Sequence, residues 1–447
     1  MLIKDGLRDL YLAHVQEKHA MYLGALDETG LDQVIIASGQ YQKVFADDLF
    51  YPFRSNVYFR EWVPIEKRTD CFILISRGEP PLLCLNNAED IWHTAGEELP
   101  DGWERAFQVK LFETHQDLQA LIGPENTKVA YIGLDNEFNL SKDQINPARL
   151  LTYVNFHRRF KSDYEHACMR EASRIGAYAH EAVRKRFLAG GCSELDLMQV
   201  FIRAANCAET ELPYSCVSCL NEHGAILHYF DLDTKPPEHC LSYLIDAGVK
   251  VNNYPSDISR TYAFDSQSEF AQLIAALDAK QQELVGAVKV GMPGTDLEAL
   301  ARYKVAEVLE AFDIIKISPE EADETRVIDK FYVHTFGHYL GVNLHDLGRQ
   351  LVNPQGERRK PSERSYFQDH EFTADFTGSM VITVEPGIYF IPGHMKALKA
   401  HEHGAMVNWN RVEEFMPYGG IRVEDNIILH KDGSVENMTR QAFASLE

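Results

Sequence analysis

The sequence predicts an α/β domain over residues 1–157 followed by an α+β domain over 158–447. Three observations predict it. Short apolar runs alternate with polar or helical stretches through the first third of the chain, the pattern of an α/β layer structure. A long amphipathic helix comes next, and beyond it helices mix with short strands. Finally, 447 residues exceed one ordinary domain.

Taken in order, Leu31 to Ser38 (LDQVIIAS), Cys71 to Ser76 (CFILIS), Leu82 to Leu85 and Val129 to Leu134 read as buried strands, each a short apolar run. Between them lie polar or helical segments such as 114–122. A basic, mixed helix around 147–161 leads into a helix where Met169, Ala172, Ile175, Ala179 and Ala182 recur at spacings of three and four. Gly190-Gly191 ends it, since glycine accepts the left-handed backbone of a helix stop. Ser193-Glu-Leu-Asp196 and Thr295-Asp-Leu-Glu298 carry the capping-box pattern that opens a helix. Each holds an Asp-Leu pair at the same distance from a glycine, in Gly191…Asp196-Leu197 and Gly291…Asp296-Leu297, which suggests an internal duplication offset by one hundred residues. The polar stretches 316–330 and 349–373 read as loops, the second long enough to cover a site.

Composition narrows the function classes. Apolar content of 45% with 11% aromatics supports sizeable cores. Net charge is 44 − 67 = −23, which repels phosphate backbones and argues against nucleic acid as a partner. Residues 1–20 carry Lys4, Asp5, Arg8, Asp9 and Glu17 rather than a secretory leader. No run of about 18 uncharged apolar residues offers a membrane span. Eight cysteines in so long a chain are not a disulfide framework, and the expected location is the cytoplasm. Cys216 and Cys219 form a lone CxxC. Zinc would need a second ligand pair, so the pair reads as small apolar residues on a buried strand.

Four segments set acidic or imidazole groups beside apolar strands. In LSYLIDAGVKVNNYPSDISRTYAF, Asp246 closes one apolar run and Asp257 opens another, with a turn at 252–255 between them. A hairpin centred near Asn252 makes the two carboxylates approximate cross-strand neighbours. Such carboxylates repel, and a cation between them removes the cost. The second segment holds His334, His338 and His345 with Gly337 and Gly341. The third is the strand Val381 to Glu385, which ends in a carboxylate and a Pro-Gly turn. In the fourth, GGIRVED, period-two alternation sends Ile421 and Val423 to one face and Arg422 and Glu424 to the other. Four carboxylates left unpaired beside buried strands would cost several kcal/mol each. An oxygen-rich donor set with one imidazole suits manganese, cobalt or zinc, as two ions about 3.5–4 Å apart.

The motifs DAG…D, HxxGH, EPG and GGIRxED, in this order, resemble the pita-bread metallopeptidases, and among them the long bacterial Xaa-Pro dipeptidases (prolidases) related to organophosphorus acid anhydrolases. The N-terminal segments Phe45 to Phe53 and Asp90 to His93 resemble the same branch, so the likeness covers nearly the whole chain. It implies a creatinase/prolidase-type N-terminal domain and a pita-bread catalytic domain with pseudo-twofold duplication. It further implies two divalent ions, most simply manganese, held by Asp246, Asp257, His338, Glu385 and Glu424, with a hydroxide bridging them. The carried-over roles are Glu385 as proton shuttle, His345 at the scissile carbonyl and His334 at the proline end. His228, Tyr214 and Arg422 would line the substrate site. Asp48 and Trp92 would close the site across a homodimer.

Two departures from that pattern bear on specificity. Gly294 stands where this branch usually has a substrate-facing tyrosine, and Glu371 and Ala374 stand where it has arginines, the first of them a grip for the substrate carboxylate. Arg349, Arg358, Arg359 or Arg364 would have to take over that anchor, or the substrate is not a free-carboxylate dipeptide. An Xaa-Pro aminopeptidase acting on longer peptides and a non-catalytic pita-bread binding protein are the alternatives.

Overall fold

The computed structural model describes residues 7–88, 99–100, 102–114, 116–119, 122, 127–134, 138–362 and 371–446. Trp92 and Arg364 lie outside them. Two compact units are present. One comprises residues 1–168, 251–254 and 351–357; the other comprises 169–250, 255–350 and 358–447.

The first unit holds a five-stranded sheet of β1 (Gln33–Ala37), β2 (Phe72–Ser76), β3 (Leu82–Asn86), β4 (Gln108–Phe112) and β5 (Val129–Ile132), in the order β4-β3-β2-β1-β5. Pairs β1–β2 and β2–β3 are antiparallel, whereas β1–β5 and β3–β4 are parallel. Ile35, Phe72, Leu74 and Tyr131 pack on one face, while Val34, Ile36, Ile73 and Ile75 are equally buried on the other. Burial of both faces explains why these strands read as unbroken apolar runs rather than alternating ones. The fifth strand stops two residues before the expected Leu134, which is 82% exposed. The helix Leu7–Thr29 buries Tyr11, Tyr22, Ala25 and Leu26. The turn 251–254 belongs to this unit through Asn253, whose amide donates to the carbonyls of Arg60 (3.1 Å) and Val63 (2.9 Å).

The second unit repeats one arrangement. Helices Asp163–Leu188 and Glu194–Ala205 precede β6 (Val217–Leu220), β7 (Ser242–Asp246), the two-residue strands β8 (Lys250–Val251) and β9 (Tyr254–Pro255), and β10 (Ser259–Ala263). Helices Glu269–Ala287 and Gly294–Ala311 precede β11 (Met380–Val384), β12 (Gly387–Tyr389), β13 (Gly420–Arg422), β14 (Asp425–Leu429) and β15 (Val435–Asn437). Each half builds one three-stranded antiparallel sheet, β10-β7-β6 or β11-β14-β15. An isolated antiparallel bridge, Ser259 to Glu424, joins the halves. The duplication expected from the glycine offset is thus real at the level of architecture.

Local expectations fare unevenly. Ser193 and Asp196 form the capping box at the helix Glu194–Ala205. Thr295 and Glu298 do not: that helix starts earlier, with Pro293 as its cap, and the Glu298 carboxylate accepts the Phe336 N–H at 2.7 Å instead. Burial pushes Glu298 up to about 7. Segment 316–330 is not all loop, because Ser318 caps a short helix, Pro319–Glu324, with proline at its first turn. Cys219 lies on β6 beside Cys216, both buried, and all eight cysteines are free thiols.

Gly294 is enclosed. A Cβ built there would lie 2.2 Å from Phe372 Cδ1 and 2.4 Å from the Phe372 carbonyl oxygen. Phe372 therefore fills the space in which a larger residue would stand. Gly294→Ala is expected to destabilise the protein by about 1–3 kcal/mol, and Gly294→Tyr by more, read as a fall in melting temperature. A Gly294→Tyr protein as stable as the parent would refute this packing argument.

Candidate metal centre

The centre is built where strands end. Asp246 is the last residue of β7 and pairs with Ser259, the first of β10. Between them Asn252 and Asn253 take φ of 48° and 75°, the two left-handed positions of a tight hairpin turn, which suit asparagine. Asp257 lies two residues before Ser259, and the Tyr214 hydroxyl spans the two carboxylates, at 2.8 Å from Asp246 Oδ1 and 2.6 Å from Asp257 Oδ1. His338 Nε2 stands 3.3 Å from Asp257 Oδ2 and 3.5 Å from Glu385 Oε1. Glu424 enters from the other half, its Oε2 accepting the Ser259 hydroxyl at 2.7 Å. Arg422 shares the site: its Nη2 donates to Asp246 Oδ2 (2.7 Å), Nε to Ser259 Oγ (2.9 Å) and Nη1 to the Tyr389 hydroxyl (2.8 Å).

His334 and His345 flank this cluster differently. The His345 ring is exposed and lies 4.2 Å from that of His338. His334 is tied inward, Nδ1 to the Thr335 carbonyl (2.9 Å) and Nε2 to the Tyr389 hydroxyl (2.9 Å). Tyr389 accepts from Arg422, so its own proton goes to His334 Nε2, which fixes a neutral imidazole with hydrogen on Nδ1. Burial, reinforced by the Arg422 charge, lowers His334 to about 3. His228 is exposed, stacks on Phe230 at 6.1 Å, and its charge is felt at His334. Asp48 belongs to the first unit and lies on an exposed turn.

Several residues that hold the site were not singled out from sequence. Thr383 accepts the His338 N–H (3.0 Å) and donates to Glu385 Oε1 (3.1 Å). Asn426 accepts the Asp257 N–H at 2.9 Å, and the buried His180 donates to the Ala247 carbonyl at 2.8 Å. A signal existed for most of them. Thr383, Ser259 and Asn426 each lie on a strand, two residues from an acid just past its end, the spacing that strand alternation keeps on one side.

Electrostatics test whether the donors fit a cation. Burial raises Asp246, Glu424 and Glu385, the last up to about 7, and the neighbouring carboxylates push Glu424 further. Asp257 is the exception: burial raises it, but the His338 hydrogen bond and charge outweigh this and hold it low. Arg422 and His338 are the cations paired with the four carboxylates among the described residues, so the cluster carries excess negative charge out of water. A divalent cation is the group that relieves it. Among the described residues, Asp257, His338 and Glu424 bring ligand atoms within 4.8 Å of one another. Two other groups do so without the same need. Glu194 already accepts N–H bonds from Leu220 and Asp233 and a contact from His223 Nδ1, while His401, Glu402 and His403 are adjacent residues at the surface.

Comparison with known proteins identifies the family. Residues 167–431 match the family described as metallopeptidase family M24, and residues 9–156 match the Xaa-Pro dipeptidase N-terminal domain. The chain belongs to metallopeptidase family M24. A protein of Pseudoalteromonas translucida (strain TAC 125) named Xaa-Pro dipeptidase is 37% identical over 98% of this chain and 99% of the relative. One of the same name from Serratia proteamaculans (strain 568) is 35% identical over 98% and 99%. Aminopeptidase P from E. coli with the inhibitor Pro-Leu shares the fold, with a TM-score of 0.71 at 21% identity over 96% of this chain and 95% of that one. The second unit of this M24 chain therefore has the pita-bread fold, preceded by an α/β domain of the prolidase type.

Proposed function

We propose that this M24 protein hydrolyses the Xaa-Pro bond of dipeptides with two divalent ions held by Asp246, Asp257, His338, Glu385 and Glu424. The observation that carries the reading is the convergence of these five residues, from both halves of the second unit, on one buried and negatively overcharged spot. The names of the relatives support the substrate class. Manganese suits the oxygen-rich set, and zinc or cobalt would also be accepted. Divalent ions held there would lower the pKa of water from 15.7 toward roughly 7, and so would supply a nucleophile at neutral pH.

The chain's own groups do the rest. Glu385, whose Oε1 is oriented by Thr383, takes the water's proton and passes it to the leaving imino nitrogen. His345, on the open side, donates to the scissile carbonyl as negative charge develops there. His334, locked neutral by Tyr389, offers an uncharged ring to the proline end. His228 and Tyr214 line the substrate side, and Arg422 holds Asp246 in place.

A second reading, an Xaa-Pro aminopeptidase acting on longer peptides, draws on Glu371. That residue is 1% exposed, and its carboxylate accepts the Ser362 N–H at 2.9 Å; the neighbouring Ala374 is also buried. Of the possible substitute cations, Arg359 is committed to Asp375 and Thr373, whereas Arg349 is part-buried near the charge of Asp346. The non-catalytic reading is disfavoured because the whole donor set is in place.

Homodimer formation is also proposed. Phe45 is 95% exposed and Leu49 64%, with Phe50 and Tyr51 beside them around Asp48, an apolar tip suited to a second copy. No helix among the described residues is long and apolar enough to cross a membrane. Eight free thiols support a reducing, cytoplasmic location.

Protein loaded with Mn2+ is expected to bind two ions per chain, cleave Ala-Pro, and lose activity on chelation. Cleavage of Ala-Pro-Ala but not Ala-Pro would replace the first reading with the second. Absence of divalent binding would sink both.

A further inference from the structure

Beside Glu424 and Glu385 the second unit contains a continuous chain of hydrogen bonds, charge-assisted except at its last link. It starts where the two halves meet. Arg260 Nη1 donates to the backbone carbonyls of Ser259 (2.8 Å) and Glu424 (2.7 Å), and Nη2 donates to Asp425 Oδ1 (2.6 Å). The other Asp425 oxygen accepts from Arg440 Nε (2.7 Å) and the Asn437 amide (2.8 Å). Arg440 Nη2 continues to Gln281 Oε1 at 3.2 Å, and also binds Asp278. Gln281 Nε2 then donates to the Val384 carbonyl at 3.1 Å, on the residue immediately before Glu385.

The carbonyl of Glu424 and that of Val384, the residue before Glu385, are therefore held through one network, although they belong to different segments of the chain. Asp425 and Gln281 are 0% exposed. A buried ionic group of this kind costs desolvation and seldom stabilises a fold better than well-packed apolar side chains would. What it supplies is direction. Each Arg260 contact has a defined angle, and its three acceptors come from β10, from the join at Glu424 and from β14. A lysine has the charge without the fork.

We propose that Arg260, Asp425, Arg440 and Gln281 form a positioning strut that sets the separation of Glu424 and Glu385 for divalent cations. The proposal rests on the metal-binding reading above. None of the four touches the reacting atoms; they act through the two glutamates.

Manganese titration of metal-free protein, followed by the electron paramagnetic resonance of free Mn2+, reads this directly. Arg260→Met and Gln281→Leu are each expected to weaken Mn2+ binding by about tenfold or more, the range found when groups supporting metal ligands are removed. Arg260→Lys should fall between Arg260→Met and the parent. Arg411→Met is the control, because Arg411 pairs with Glu269 and Glu414 at the surface of the same unit. Its melting temperature should fall while Mn2+ affinity stays put. Unchanged affinity in a folded Arg260→Met protein overturns the strut, as does an equal loss in Arg411→Met. Should Arg260→Met not fold, unchanged affinity in Gln281→Leu has the same force. Parent protein that binds no Mn2+ would instead defeat the metal-binding reading itself.

Discussion

Glu424→Gln is expected to lower kcat/KM on Ala-Pro by on the order of 10³-fold or more, while the metal-free protein becomes as stable as the parent or more so. The two halves of this expectation have one cause. Without a cation, Glu424 is a buried carboxylate facing Asp257, Glu385 and Asp246, and burial with those charges pushes its pKa well up. A neutral amide of the same shape removes that repulsion and can keep the Ser259 hydroxyl as its donor. It also removes a donor oxygen from the set that holds the ions. Melting temperatures with and without Mn2+ therefore cross: the parent gains strongly from the metal, and the variant gains little. A variant that melted well below the metal-free parent would mean that Glu424 belongs to the fold rather than to a cation.

The metal-free enzyme is also expected to lose stability as pH rises from about 5 to about 7, by a few kcal/mol attributable to Glu385. Burial first, then the Asp257 and Asp246 charges, raise Glu385 to about 7 against the ordinary 4.5, although His338 and Arg422 oppose them. The folded state then binds more protons than the unfolded one across that window, so the stability slope with pH is negative. His338 acts in the same sense: burial lowers it, but Asp257 and Glu385 together raise it above 6.5, and the folded state again holds the extra proton. Metal binding should do the reverse and strengthen toward pH 7, because cation and proton compete for the same oxygens. Thermal melts of chelated parent and Glu385→Gln protein between pH 5 and pH 8 isolate the effect. If the difference between them were flat with pH, the raised carboxyl would be ruled out.

Much of this centre was legible in the sequence because charged residues beside apolar strand runs are expensive without a partner. Asp246, Asp257, Glu385 and Glu424 announced themselves that way, and the Asn252-Asn253 turn told how the first two could meet. Arg422 and Glu424 were placed on one face by alternation, and both do face the site. Tyr389 was missed for a plain reason: a tyrosine in EPGIYF looks like core, and its link between His334 and Arg422 depends on a partner 33 residues away. Arg260 gave no signal either, since two of its three acceptors are backbone carbonyls and the third, Asp425, lies 165 residues on. Glu298 misled because the same spacing serves a capping box or an inward hydrogen bond, and only the neighbouring Phe336 decides between them. The sheets were easier to read than the short helix Pro319–Glu324, which the acidic run in ISPEEADE made look like a solvated loop.

The Ser259–Glu424 bridge links the two three-stranded halves, and the five cage residues divide across it, Asp246 and Asp257 on one side, His338, Glu385 and Glu424 on the other. Cations bound there would act as a clasp. They would tie residue 246 to residue 424 much as a cross-link closes a long loop, and restrict the opened chain more than the folded one. Stripped of metal, the protein should part first along that seam, with amides of β10 and β13 exchanging with solvent before those of β7 or β11.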